Sequence, residues 1–150
     1  MTANFLKKPY EKKNCLYVIN GILPLFCGFF IYMTVRENTY LSFVFSFLRS
    51  RMPVIAYPSL IRNYAADFLW TYALFFCLRL TLGDELSGKR NKRVLFLTAA
   101  VSVVVECLQL TGIFPGTFDF WDILVELTAA LAALMISNRI EQRRKFYEEK

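Results

Sequence analysis

Four long apolar runs, separated by polar and basic blocks, frame this 150-residue chain. They cover residues 15–35, 60–82, 94–114 and 118–136. At 1.5 Å rise per residue, about 20 residues cross the ~30 Å hydrocarbon layer, so each run is long enough to span as a helix. The first run follows a basic start, as a signal peptide does, but it exceeds the ~7–15 residues of a signal core and no small-residue cleavage site follows. It reads as a retained span with a bend expected at Pro24.

Residues 36–59 have another pattern. The stretch LSFVFSFL is too short to cross. Leu41, Phe45, Leu48 and Met52 recur at helical spacing, and Ser42, Ser46 and Arg49 form a polar stripe, as in a helix lying in the membrane interface. Phe43, Phe45 and Phe47 also alternate with period two, which leaves a strand open. Pro53 and Pro58 break the chain before the second span. Turns are expected at Gly83, Asp84 and Gly88 in the central loop and at the tight Pro-Gly-Thr link of residues 115–117. The expected fold class is all-α: a polytopic membrane protein with four transmembrane helices plus an interfacial amphipathic segment between the first and second. Residues 1–150 form one membrane domain, flanked by a basic N-terminus (1–14) and a charged tail (138–150) that is either a helix extension or frayed.

Composition agrees with this frame. The chain is 56% hydrophobic and 20% charged, against about 25% charged in an ordinary soluble domain, and its mean hydropathy is +0.38. The net charge is +6. Its cations flank the apolar runs instead of covering one polar face, so nucleic acid is not an expected partner. Lys7, Lys8, Lys12 and Lys13 precede the first span, and Lys89, Arg90, Lys92 and Arg93 lie between the second and third. Arg139, Arg143, Arg144, Lys145 and Lys150 follow the fourth. With four spans all three blocks fall on one side, which places both termini in the cytoplasm of a multi-pass cell-membrane protein. The opposite side keeps Arg36, Arg49, Arg51 and Arg62.

Several chemistries drop out. There is no histidine, which removes Ser-His-Asp and Cys-His catalysis and any His-ligated metal. Cys15, Cys27, Cys77 and Cys107 form no CxxC pair, no zinc spacing and no disulfide framework. No cofactor and no metal site is expected.

The informative residues are polar ones inside the spans, where each charge costs roughly 2.5–3.5 kcal/mol on insertion scales. The second span carries Arg62, Asn63 and Asp67; the third Ser102, Glu106 and Gln109; the fourth Asp119, Asp122 and Glu126. Spacings of three, four and seven put Asn63 with Asp67, Ser102 with Glu106 and Gln109, and Asp119 with Asp122 and Glu126, each set on one helical face. Counted along the spans, Asp67 and Glu126 lie about 10 Å from the outer surface, and Glu106 about 18 Å from the inner one. The three stripes therefore reach one layer in the outer leaflet, while the inner halves of the spans read as apolar. Five acids face Arg62 alone, with Arg49 and Arg51 of the interfacial segment as further sources of positive charge. The bland alternative is interhelical hydrogen bonding that only fixes packing. Tyr57, Tyr64, Trp70 and Trp121 read as interface or packing residues, and Cys107, turned about 100° from Glu106, as packing.

Two segments, NYAADFLWTYAL and ECLQLTGIFPGTFDFWDIL, resemble the VanZ-like membrane proteins. That pattern has His-Phe-x-x-Tyr, then Glu-x-x-Gln, a Pro-Gly link, and Asp-x-x-Asp followed by Asn. Glu106, Gln109, Asp119 and Asp122 match it directly; Asp67 stands where His is usual, before the matching Phe68, and Glu126 stands where Asn is usual. The likeness covers residues 60–137. It implies a bacterial cell-envelope role linked to tolerance of teicoplanin-type glycopeptide antibiotics, and both departures make this cleft more acidic than the family's. On this reading the cleft binds a lipid or cell-wall precursor headgroup, or a cationic group on an antibiotic. One alternative is an intramembrane enzyme for a lipid-linked substrate, with Glu106 and Asp122 as its acid–base pair. Another is a transport subunit, which an apolar inner half disfavours. Oligomeric state is not fixed by the sequence.

Overall fold

The computed structural model describes residues 3–35, 45–82, 87–113 and 118–148. It is all-helical over that part of the chain: α1 (Ala3–Val35), α2 (Ser46–Arg49), α3 (Ser59–Thr81), α4 (Ser87–Leu110) and α5 (Phe120–Glu148). Among the described residues there is no strand. Three segments are long and apolar enough to cross a membrane: Cys15–Val35 in α1, Arg90–Leu110 in α4 and Phe120–Arg143 in α5. With its 23 residues, α3 is about 35 Å long at 1.5 Å per residue. Asp67 and Arg79 hold its hydropathy below that of the other three.

Polar residues survive in α3 because it is the hub of the bundle, packed against α1, α4 and α5. Its buried Phe75 and Phe76 meet Tyr17 of α1, Val94 of α4 and Ala133 of α5 in one core cluster. Small residues allow the close approach, as expected where helices associate by fit alone. On α5, Ala129, Ala133 and Ser137 recur every fourth position and are fully buried. On α1, Gly28 lies under the Trp70 ring, so near that a β-carbon there would sit 2.5 Å from two indole atoms. Trp70 in turn packs on Tyr32, ring centroids 5.8 Å apart.

Several expected boundaries move. Gly88, expected in a turn, lies inside α4, and the basic run through Arg93 forms its first turns. Gly83, Asp84 and the Pro-Gly-Thr link lie outside the described residues. The charged tail is a helix extension, since α5 continues to Glu148, and α1 stays helical through Pro24.

The segment before α3 departs most. Leu41 and Phe43 lie outside the described residues, and only Ser46–Arg49 is helical. Residues 53–58 are irregular, because Pro53 and Pro58 lack an amide hydrogen and disfavour helical geometry at the residue before them. Neither a continuous amphipathic helix nor a strand forms over residues 45–58. The segment docks on the end of α1 instead. The Ile55 amide donates to the Thr34 carbonyl at 3.2 Å, the Tyr57 hydroxyl lies 3.3 Å from the Thr34 hydroxyl, and Phe45 meets Phe29 edge-on at 5.7 Å.

Candidate functional site

The polar faces of α3, α4 and α5 converge. Glu106 on α4 is 4% exposed and Glu126 on α5 is 9% exposed. Ser102, one turn before Glu106, is buried and lies near the Glu126 carboxylate. Its hydroxyl also lies 3.5 Å from that of Thr71, which is buried on α3. Glu126 is within electrostatic reach of Glu106, Asp67 and Asp122. Polar residues of three helices thus lie close to one another.

The start of α5 closes one end of this layer. Asp119 precedes the helix, and its Oδ1 accepts the Trp121 amide at 3.0 Å, which satisfies one of the amides a helix start leaves open. Asp119 is therefore a helix cap, and it also lies within electrostatic reach of Glu106.

Each buried glutamate leaves one oxygen unmet. Glu106 Oε2 and Glu126 Oε2 are shielded from solvent and have no hydrogen-bond partner. A buried acceptor left unmet is costly, more so when it carries charge.

The structure sorts the sequence candidates. Glu106, Glu126 and Ser102 are buried, Asp67, Asp119 and Asp122 are half-buried near them, and Gln109 is half-buried. Arg62 and Asn63 are exposed, and the Arg62 Nε donates to Asn63 Oδ1 at 3.3 Å. Arg51 is spent on a local contact, its guanidinium 4.4 Å from the Phe47 ring centroid. Sequence reasoning missed Thr71; its position one turn after Asp67 on the same face was the available signal. No group of three or more metal-ligating side chains suited to an ion occurs among the described residues.

A second polar layer lies at the opposite end of α3, mostly beyond the apolar runs. Arg79 near the end of α3 is 2% exposed and ion-pairs with Glu141 of α5. Its Nε donates to Asn91 Oδ1 of α4 at 2.8 Å, and its guanidinium carbon lies 5.2 Å from the Tyr17 ring centroid of α1. Asn91 Nδ2 donates to Asn138 Oδ1 at 2.8 Å. Ser137 Oγ lies 3.4 Å from Asn91 Oδ1, and Arg90 Nη2 lies 3.9 Å from Glu141. Four helices are tied there. Twelve residues separate Asp67 from Arg79, about 18 Å along the helix. Phe75, Phe76, Ala129 and Ala133, all buried, fill the space between the layers. Buried apolar side chains thus lie between the two polar layers.

No protein-family model matches the chain, and neither a curated protein nor a solved structure matches it. Among the residues of the Glu-x-x-Gln and Asp-x-x-Asp segments, Asp119 and Asp122 lie within electrostatic reach of Glu106.

Proposed function

We propose that this is a VanZ-like cell-envelope protein whose acidic cluster lines a ligand pocket in the outer leaflet, receiving a lipid or cell-wall precursor headgroup and thereby contributing to tolerance of teicoplanin-type glycopeptides. In this reading α3 is a fourth membrane span, both termini are cytoplasmic, and the segment around α2 lies at the outer interface over the end of α1. Three facts support the topology: the length of α3, its central place in the bundle, and basic blocks that fall on one side with four spans.

The observation that carries the pocket is the pair of unmet carboxylate oxygens, Glu106 Oε2 and Glu126 Oε2. A donor-bearing headgroup would recover the cost of burying them. The buried apolar side chains between the two polar layers favour binding over passage, since transport paths carry ionisable groups through the membrane. The test substitutes Glu106→Gln and Asp122→Asn at equal expression in a strain where the wild-type chain confers tolerance. The expected outcome is a fall in the inhibitory teicoplanin concentration toward that of the empty strain. Unchanged tolerance overturns the proposal.

A further inference from the structure

At the end of the bundle that holds Arg79, α4 and α5 run antiparallel: Asn91 bonds Asn138 at 2.8 Å, and farther along α4 Ser102 lies near Glu126. Arg90 and Glu141 approach to 3.9 Å on the flank of this seam that faces α3, where Glu141 also pairs with Arg79. An α-helix turns about 100° per residue, always in the right-handed sense. Arg90 comes one step before Asn91, so Lys92, one step after it, is swung to the opposite flank. Because the two helices are antiparallel, one step beyond Asn138 swings Arg139 to that same flank. Exposure agrees: Arg90 is buried, whereas Lys92, Asn138 and Arg139 are exposed. The Oδ1 of Asn138 is taken by Asn91, so its Nδ2, a donor of two hydrogens, remains for a further partner. Phe96, one turn after Lys92, and Met135, one turn before Arg139, are exposed as well. Each cation thus stands one turn nearer the aqueous end than an apolar side chain on its own helix face. The apolar spans of α4 and α5 begin at Arg90 and end at Arg143, which sets these cations at the membrane surface.

We infer that this flank binds an anionic phospholipid, its phosphate held by Lys92, Asn138 and Arg139 and its acyl chains along Phe96 and Met135. The inference goes beyond the outer pocket and does not depend on it, since it requires only that α4 and α5 cross a bilayer. Two features set the site apart from the general role of basic residues as topology signals, which needs cations on one side of the membrane but not on one face. First, the two cations and an amide donor share one flank of one seam, and an ammonium, a guanidinium and an amide all suit phosphate oxygens. Second, an exposed apolar side chain lies one turn beneath each cation; lipid chains cover such residues, and an acidic protein partner in water would leave them bare. Arg93 is the contrast. It is exposed too, but it lies a further 100° or so around α4, turned away from α5.

The test is native mass spectrometry of the full chain, released from dodecyl maltoside micelles that contain equal amounts of phosphatidylglycerol and phosphatidylcholine. The unsubstituted chain is expected to retain phosphatidylglycerol over phosphatidylcholine by about tenfold or more, as two cations at an anionic headgroup imply. Lys92→Gln and Arg139→Gln should each lower that ratio about fivefold, the scale of one cation near an anionic surface. Arg93→Gln removes the same charge and should leave the ratio nearly unchanged. All three side chains are exposed, so the variants should fold as the unsubstituted chain does. Equal losses for Lys92→Gln and Arg93→Gln overturn the site and leave only general charge attraction. Equal retention of the two lipids overturns it as well and returns the face to an acidic protein partner. Displacement of the retained lipid by millimolar glycerol phosphate overturns the lipid assignment, because the headgroup alone would then suffice. None of these outcomes involves Glu106 or Asp122, so this site and the outer pocket stand or fall separately.

Discussion

The buried pair of Arg79 and Glu141 yields an asymmetric prediction. Removing Glu141 as Glu141→Ala strips the carboxylate from Arg79, whose side chain is 1% exposed, and from Arg90 at 3.9 Å. Breaking a buried pair from one side costs about 3–5 kcal/mol, because an uncompensated charge stays buried. Glu141 itself is 13% exposed and some water reaches it, so the lower end applies, about 3 kcal/mol. Removing the cation as Arg79→Met leaves groups that keep partners. Glu141 retains Arg90, Asn91 Oδ1 retains Ser137 Oγ, and Asn91 Nδ2 retains Asn138. Methionine fills the apolar stem's place and the cost of desolvating a guanidinium disappears, so the expected loss is about 1 kcal/mol. The assay is reversible unfolding in mixed micelles of rising dodecyl sulfate fraction, followed by tryptophan fluorescence. A 1.4 kcal/mol gap is tenfold in the equilibrium constant, so the two variants should differ by more than tenfold. Equal losses, or a larger loss for Arg79→Met, refute the reasoning and make the hydrogen bond to Asn91 and the stacking on Tyr17 the dominant contributions of Arg79.

Two further outcomes follow from packing and topology. Gly28→Ala should weaken the α1–α3 contact by roughly 1–3 kcal/mol, the usual cost of overpacking, because its methyl group would meet the Trp70 ring at 2.5 Å. Gly21→Ala, whose new methyl group finds Cys77 Sγ at 3.5 Å, should be tolerated, and both can be read in the same unfolding assay. For the topology, in a cysteine-free background of intact cells, a membrane-impermeant maleimide should label a cysteine placed at Gly116, between α4 and α5. It should not label one placed at Gly83, between α3 and α4. Labelling at Gly83 contradicts four spans with cytoplasmic ends.

Much of the fold was legible because its signal is cumulative. Twenty or so apolar residues between basic blocks mark a span whatever each one packs against, and the three apolar helices emerge close to where the hydropathy places them. Boundaries were less legible. The run from Gly88 to Arg93 looks like a polar loop, yet it continues α4 as a helix. Its polarity reports contact with water, and a helix that emerges from a membrane meets water too. The segment before α3 was legible in part: Pro53 and Pro58 break the chain as expected and leave residues 53–58 irregular, while of the expected amphipathic helix only Ser46–Arg49 is helical among the described residues.

The site divides along the same line. Acids in an apolar run are anomalous enough to be noticed singly, and their spacing fixes a shared face. The meeting of Glu106, Glu126 and Ser102 therefore follows once α4 and α5 pack on α3. The inner network contains equally buried polar groups, but each has an ordinary explanation in the sequence: Arg79 and Arg90 as topology signals, Asn91 as a span flank, Glu141 as part of a tail. What separates the layers is charge. Around Arg79 a cation, the Glu141 carboxylate and the neutral side chains of Asn91, Asn138 and Ser137 answer one another, which is how a polar layer locks helices together. Around Glu126 the ionisable groups within electrostatic reach are other carboxyl groups. The same contrast orders the outcomes of mutation: substitutions in the inner layer should be felt first in unfolding, and isosteric glutamine in the outer layer should be felt first in binding.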